Sequence, residues 1–133
     1  MTELTEKIEI AGIYIDCPVM NGAGVARTIG EVKNLGKSCA SILGAGSFTV
    51  LEREEDKGTN FWEGGLNSRG LPNLGIEYCK KAIPEMVLIA HGFEKLLCIS
   101  VAGFSPEEYA ILTKLVFESG ADIVELNLSC PNV

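Results

Sequence analysis

Apolar and polar residues alternate from Lys7 to Ile15 on either side of Ala11-Gly12, with Ile8, Ile10, Ile13 and Ile15 at the apolar positions. The pattern predicts a small hairpin that plugs or flanks something larger. Pro18-Val19-Met20 then reads as a short buried strand running into Asn21-Gly22-Ala23-Gly24, a loop of small residues with accessible backbone N–H groups. Thr28 with Glu31 three residues on fits a capping box, opening a helix that ends near Gly36. Ala40 to Leu43 is apolar enough for a second buried strand. From Gly44 to Gly75 both periods vanish among Gly, Asn and charge. A connection that long is functional or disordered more often than not. Its charged run from Glu52 to Lys57 reads as a solvated excursion, and Phe61-Trp62 with Gly64 to Pro72 as an ordered return over a site.

A helix from about Ile76 to Ala90 follows, kinked or divided by Pro84. Leu96 to Val101 is a third strand. Ser105 as N-cap, Pro106 at the first helical position and Glu108 completing a capping box start the clearest helix. Its stripe is Tyr109, Leu112, Leu115 and Val116, and Gly120 ends it at the left-handed position. Asp122 to Leu128 is a fourth strand, with Val124, Leu126 and Leu128 on one face and Glu125, Asn127 and Ser129 on the other.

Apolar strands alternating with helices describe parallel βα units, either a doubly wound sheet or a barrel. Polar residues gathered after the strands, at Asn21 to Gly24, Ser100 to Gly103 and Asn127 to Asn132, favour a barrel with its site at that face. A (β/α)8 TIM barrel typically takes about 250 residues, and four strands are legible here. Residues 1–133 are therefore expected to form about the N-terminal half of one barrel domain, a hairpin plus four βα units. An open half has sheet edges to cover, so the remainder of the barrel, a complementing chain or a second copy is the expected partner.

Composition narrows the function classes. Eighteen Asp and Glu against eleven Lys and Arg give a net charge of -7 over 133 residues, with 47% hydrophobic residues. That is an ordinary globular α/β composition, and its singly scattered basic residues argue against nucleic acid. No apolar run approaches the roughly 20 residues of a membrane span, and the acidic start is unlike a secretory signal, so the cytoplasm is the default. Five widely spaced cysteines and one histidine argue against structural zinc, any other metal site and a disulfide framework.

The chemistry concentrates in Asn127-Leu-Ser-Cys130-Pro-Asn132. A thiol just past a strand, between two carboxamides, is placed to act as a base if its pKa falls towards neutrality; the alternative is a small buried hydrophobe. On spacing alone the asparagines read as turn and cap residues ahead of ligand contacts. His91, beside Gly92 at a helix end, reads as a capping or surface residue, and Phe61 and Trp62 as packing under the loop.

Together with Gly65-Leu-Asn-Ser-Arg-Gly-Leu-Pro-Asn-Leu-Gly75 and Asn21-Gly-Ala-Gly24, that segment resembles the dihydroorotate dehydrogenase family, the FMN-dependent (β/α)8 enzymes of pyrimidine synthesis. The three motifs match in order and spacing over nearly the whole chain. The resemblance implies Cys130 as the active-site base, as in the family's soluble class. It implies Asn67, Asn127 and Asn132 as hydrogen-bonding partners of the pyrimidine, and Gly70 and Leu71 as backbone donors to its carboxylate. Ala23, Gly24, Gly46, Ser47 and Asn127 fall on the FMN side, where small residues permit close backbone approach. The implied reaction oxidises dihydroorotate to orotate, the base taking the C5 proton and the flavin the C6 hydride.

The second strand lacks the lysine of the soluble class. Gly46-Ser-Phe-Thr49 is instead similar to the membrane-associated class, whose lysine falls close to Arg27, so Arg27 either supplies the positive charge or is a surface residue. Arg69 beside Asn67 is another departure, one that bears on substrate choice. The competing readings are an FMN-dependent dehydrogenase of another dihydropyrimidine such as dihydrouracil, and a non-catalytic half-barrel or interaction subunit. A homo-oligomer is compatible with each.

Overall fold

The computed structural model describes residues 8–10, 12–55, 60–63, 65–67 and 70–129. Along the chain come β1 (Ile8–Ile10), β2 (Ile13–Ile15), α1 (Ile29–Leu35), β3 (Ile42–Phe48), β4 (Asn60–Trp62), β5 (Gly65–Asn67), α2 (Gly75–Gly92), β6 (Leu96–Val101), α3 (Pro106–Glu118) and β7 (Ile123–Leu126). β3, β6 and β7 form a parallel sheet in chain order, with α2 and α3 in the crossovers. A doubly wound sheet reverses its strand order at a switch point. No reversal occurs among the described strands. They form mixed α/β structure around a three-stranded parallel sheet.

The main core lies between the sheet and the helices, where Leu43, Phe48, Leu97, Ile99 and Val101 meet Val32, Ile83, Met86, Leu112 and Val116. On the other side of the sheet, Ile15, Ile42 and Cys98 cluster with Leu96 and Ile123. Ile42, Leu96 and Ile123 are the first residues of their strands, so the expected hairpin, paired Ile8 to Ile15 and Ile10 to Ile13, covers the N-terminal end of the sheet. The opposite end stays free for polar residues.

Three elements depart from expectation. β3 begins near the predicted place but runs on to Phe48, and all seven of its residues are buried. Gly44, Ala45, Gly46 and Ser47 carry little hydropathic signal, yet their small size lets β6 approach; a Cβ on Gly46 would collide with the Ser100 carbonyl. The strand expected at Pro18 to Met20 is only a parallel bridge between Met20 and Ile42. Beyond it the Asn21 carboxamide replaces the ladder, with Oδ1 accepting from Gly44 N at 2.8 Å and Nδ2 donating to Gly44 O at 2.8 Å. Pro84 does not divide α2, which is continuous over 18 residues. Pro84 and Lys80 are exposed, so the carbonyl that the proline leaves unbonded faces water.

The helix starts conform more closely. Thr28 and Glu31 make the full capping box of α1. At α3 the Ser105 hydroxyl accepts from Glu108 N, but the Glu108 carboxylate accepts from Phe104 N at 2.8 Å, one residue outside the box. Gly120 has φ +89, the left-handed stop that the sequence predicts.

Candidate active site

Four polar side chains line up across the C-terminal end of the sheet. Ser47 near the end of β3, Ser100 of β6 and Glu125 of β7 stand side by side, Ser100 being paired directly with Glu125 in the strand register. Asn127 follows Glu125 by two residues on the same face. The Asn127 Nδ2 donates to Ser47 Oγ at 2.8 Å, the two serine hydroxyls are 2.7 Å apart, and Ser100 Oγ donates to Glu125 Oε1 at 2.7 Å. Both serines are buried. Unpaired hydroxyls there would be costly, so the row is stable only as a connected set.

Beside the row opens a cavity of about 230 Å³ lined by Leu71, Ala102, Gly103, Phe104, Tyr109, Asn127 and Leu128. The Tyr109 hydroxyl donates to the Asn127 carbonyl at 2.6 Å, which fixes the backbone where β7 leaves the sheet. The opposite wall is the turn at Gly70 and Leu71, both in the left-handed region with φ +64 and +53. A leucine there is strained by about 1 kcal/mol. Side chains hold it in place: Gly70 O accepts from Arg53 Nε at 2.8 Å, Leu71 O from Asn73 Nδ2 at 2.8 Å, and Pro72 O from Arg27 Nη1 at 3.3 Å. With three successive carbonyls turned to these donors, the turn is set by its neighbours and not by its own preference.

Asn73 is the hub. Its Oδ1 accepts from Thr49 N at 3.1 Å and Gly75 N at 2.9 Å, and its Nδ2 also donates to Thr49 Oγ1 at 2.9 Å. One buried carboxamide thus ties the end of β3, the turn and the first turn of α2 together.

Of the residues singled out from sequence, Asn127 and Leu71 line this cavity, Gly70 precedes Leu71 in the turn, and Ser47 is bonded to Asn127. Gly24 N donates to Gly46 O at 2.6 Å and Gly46 N to Ala26 O at 2.8 Å, so the loop carrying Ala23 is fastened to the end of β3. Arg27 borders a second cavity of about 290 Å³ with Arg53, Pro72 and Asn73. The backbone of Asn67 pairs with Asn60 in the β4–β5 hairpin. Cys130 and Asn132, and Arg69 with them, lie outside the described residues. The backbone of Phe61 and Trp62 lies in β4.

The sequence gives Arg53 and Asn73 no part in the site, places Tyr109 only in the apolar stripe of α3 and Glu125 only on a wet strand face. Arg53 sat in the charged run read as solvated. Its bridge to Asn73 and its guanidinium, 5.2 Å from the Phe104 ring centre, draw it back onto the site. Among the described cysteines, burial pushes the Cys79 thiol up to about 12 and the Cys98 thiol up to about 11, with Glu125 adding to the rise at Cys98. Neither can act as a base near neutrality.

The family model described as dihydroorotate dehydrogenase matches residues 5–133. A protein named probable dihydroorotate dehydrogenase A (fumarate), from Streptococcus pneumoniae, is 35% identical over 98% of this chain and 43% of its own length. A Streptococcus agalactiae protein named putative dihydroorotate dehydrogenase A (fumarate) is 37% identical over 96% of the chain and 42% of its own. The catalytic subunit named dihydroorotate dehydrogenase B (NAD(+)), from Alkaliphilus metalliredigens, is 32% identical over 100% of the chain and 44% of its own. The chain thus spans less than half the length of these relatives, and within that span it belongs to the dihydroorotate dehydrogenase family.

Proposed function

We propose that this chain supplies the pyrimidine-binding and part of the flavin-binding surface of an FMN-dependent (β/α)8 dihydroorotate dehydrogenase that oxidises dihydroorotate to orotate in pyrimidine synthesis. The observation that carries the reading is the cavity of about 230 Å³ at the C-terminal end of the parallel sheet, where the Gly70-Leu71 turn faces Asn127. Its size suits a single ring and falls below the roughly 300 Å³ where drug-sized pockets begin. A carboxamide offers a donor and an acceptor to an imide-like edge, and a left-handed turn with its carbonyls committed elsewhere leaves its amides to face an anion. Asn67 and Asn132 complete the ring contacts in this reading.

The residues present also fit a flat cofactor. At Gly22 and Gly24 an added Cβ would meet no atom within 4 Å, so the backbone of the loop carrying Ala23 borders open space. Gly46 and Ser47 continue that surface, and Arg27 supplies a positive charge nearby. When bound, FMN supplies the two-electron acceptor. The chain's own part is to orient the ring, exclude water from it and hold the C5 proton on the Cys130 thiolate, just beyond Ser129. Lost thiolate nucleophilicity is not at issue, because the step is a proton transfer.

No helix among the described residues is long and apolar enough to cross a membrane. The rest of the barrel, whether in cis or from another chain, is the required partner, and a homo-oligomer in the cytoplasm is the setting we favour. The test is the anaerobic visible spectrum of the purified protein with dihydroorotate. Bleaching of a flavin band is expected, and Cys130→Ser should cut the bleaching rate by about 100-fold or more while flavin stays bound. Bleaching only by dihydrouracil would transfer the reading to that substrate; a colourless, inert full-length protein would overturn it.

A further inference from the structure

The polar row across the strand ends has a direction. Glu125 as a carboxylate only accepts, so the single proton of Ser100 Oγ goes to it at 2.7 Å. Ser100 Oγ is then left to accept across the 2.7 Å contact, and the proton must come from Ser47. Ser47 Oγ, its own proton spent, accepts from Asn127 Nδ2 at 2.8 Å. Every hydroxyl proton points towards Glu125. Reversing the Asn127 carboxamide would set Oδ1 against an oxygen with no proton to give, a buried contact between lone pairs.

We propose that Glu125 is a positioning residue: through Ser100 and Ser47 it locks the Asn127 carboxamide with Nδ2 turned to the sheet and Oδ1 turned away, so that the cavity presents an acceptor to a ring N–H. Carboxamide orientation is otherwise a nearly free choice between two similar shapes. Here a carboxylate two residues earlier in the chain, on β7, makes the choice through side chains of β6 and β3. The Oδ1 left over accepts from Ser129 N at 3.3 Å, a long contact that a better donor on a ligand displaces. Tyr109 supports the arrangement from the other side by holding the Asn127 carbonyl. The inference rests on the reading above in one respect, that Asn127 contacts the pyrimidine.

A double-mutant cycle on the flavin-loaded protein tests it, with orotate as the probe and the flavin absorbance change as the readout. Glu125→Ala is expected to weaken orotate binding about tenfold and Asn127→Ala about thirtyfold, with the double variant within about twofold of Asn127→Ala alone. A merely structural Glu125 would cost the same in either background. Ser100→Ala breaks the row one bond earlier and should reproduce Glu125→Ala, so a poorly folding variant does not stop the test. If Asn127→Ala weakens orotate but the other losses simply add to it, or are absent, the inference is overturned while the ligand site stands. If Asn127→Ala has no effect on orotate, both fall.

Discussion

At the scale of single residues, burial decides what a thiol can do. Cys79 and Cys98 hold their protons up to about 12 and about 11, against an ordinary value of 9.0, because the apolar surroundings penalise the thiolate. The sign follows from linkage: the folded state keeps protons that the unfolded chain releases above pH 9, so the stabilisation is full below pH 9 and is lost as the pH rises towards 11 and 12. Denaturant midpoints at pH 8 and pH 10 should show a loss on the order of 1 kcal/mol per thiol, and a Cys79→Val, Cys98→Val variant should lose correspondingly less. Equal losses in both proteins would mean that these thiols are not the titrating groups. The contrast sharpens the reading of Cys130, whose polar neighbours in sequence are unlike the surroundings of either buried thiol.

At the scale of elements, the site is a junction more than a collection of residues. Asn73 joins β3 to α2 and holds the carbonyl of strained Leu71, and it also does the capping that Leu74 cannot, since α2 has no side-chain cap at its own N-cap position. Removing it strands the Thr49 and Gly75 amides and the Leu71 carbonyl. Asn73→Ala is expected to destabilise the protein by about 3 kcal/mol in chemical denaturation and to weaken orotate binding with it. A variant of unchanged stability would show that water replaces the carboxamide. His91 has an analogous structural task at the other end of the sheet: its Nε2 lies 3.0 Å from Asp122 Oδ2, which also accepts from Leu97 N at 2.8 Å. The helix starts were legible in sequence because capping is local chemistry. The extension of β3 was not, because Gly, Ala and Ser announce close packing only once a second strand is beside them.

At the scale of the whole molecule, the sheet of the described residues ends on β7, which pairs with β6 on one side. At its end Leu126, and beyond it Leu128, are 50% and 76% exposed. On α3 beside it Ile111 and Phe117 are also exposed. An unpaired, apolar edge seeks another strand. The 133-residue chain made by itself is expected to self-associate in analytical ultracentrifugation, and Leu126→Lys with Leu128→Lys to raise its monomer fraction. A clean monomer without those changes would mean that the edge needs no cover. The same edge is where a further βα unit would dock in the proposed barrel.

Much of this protein is determined by the order of its residues alone. Capping residues and Gly120 set where α1 and α3 begin and where α3 ends, since each depends on neighbours a few positions away. The three motifs point to the family for the same reason. What only the tertiary structure decided are the contacts between residues far apart: Asn73 with Thr49, Arg53 with Gly70, Ser47 with Ser100 and Asn127. Polar side chains carry no periodic signal that names a partner. Their partners follow from burial, because a donor or acceptor removed from water must be matched by whichever group the packed strands bring within reach.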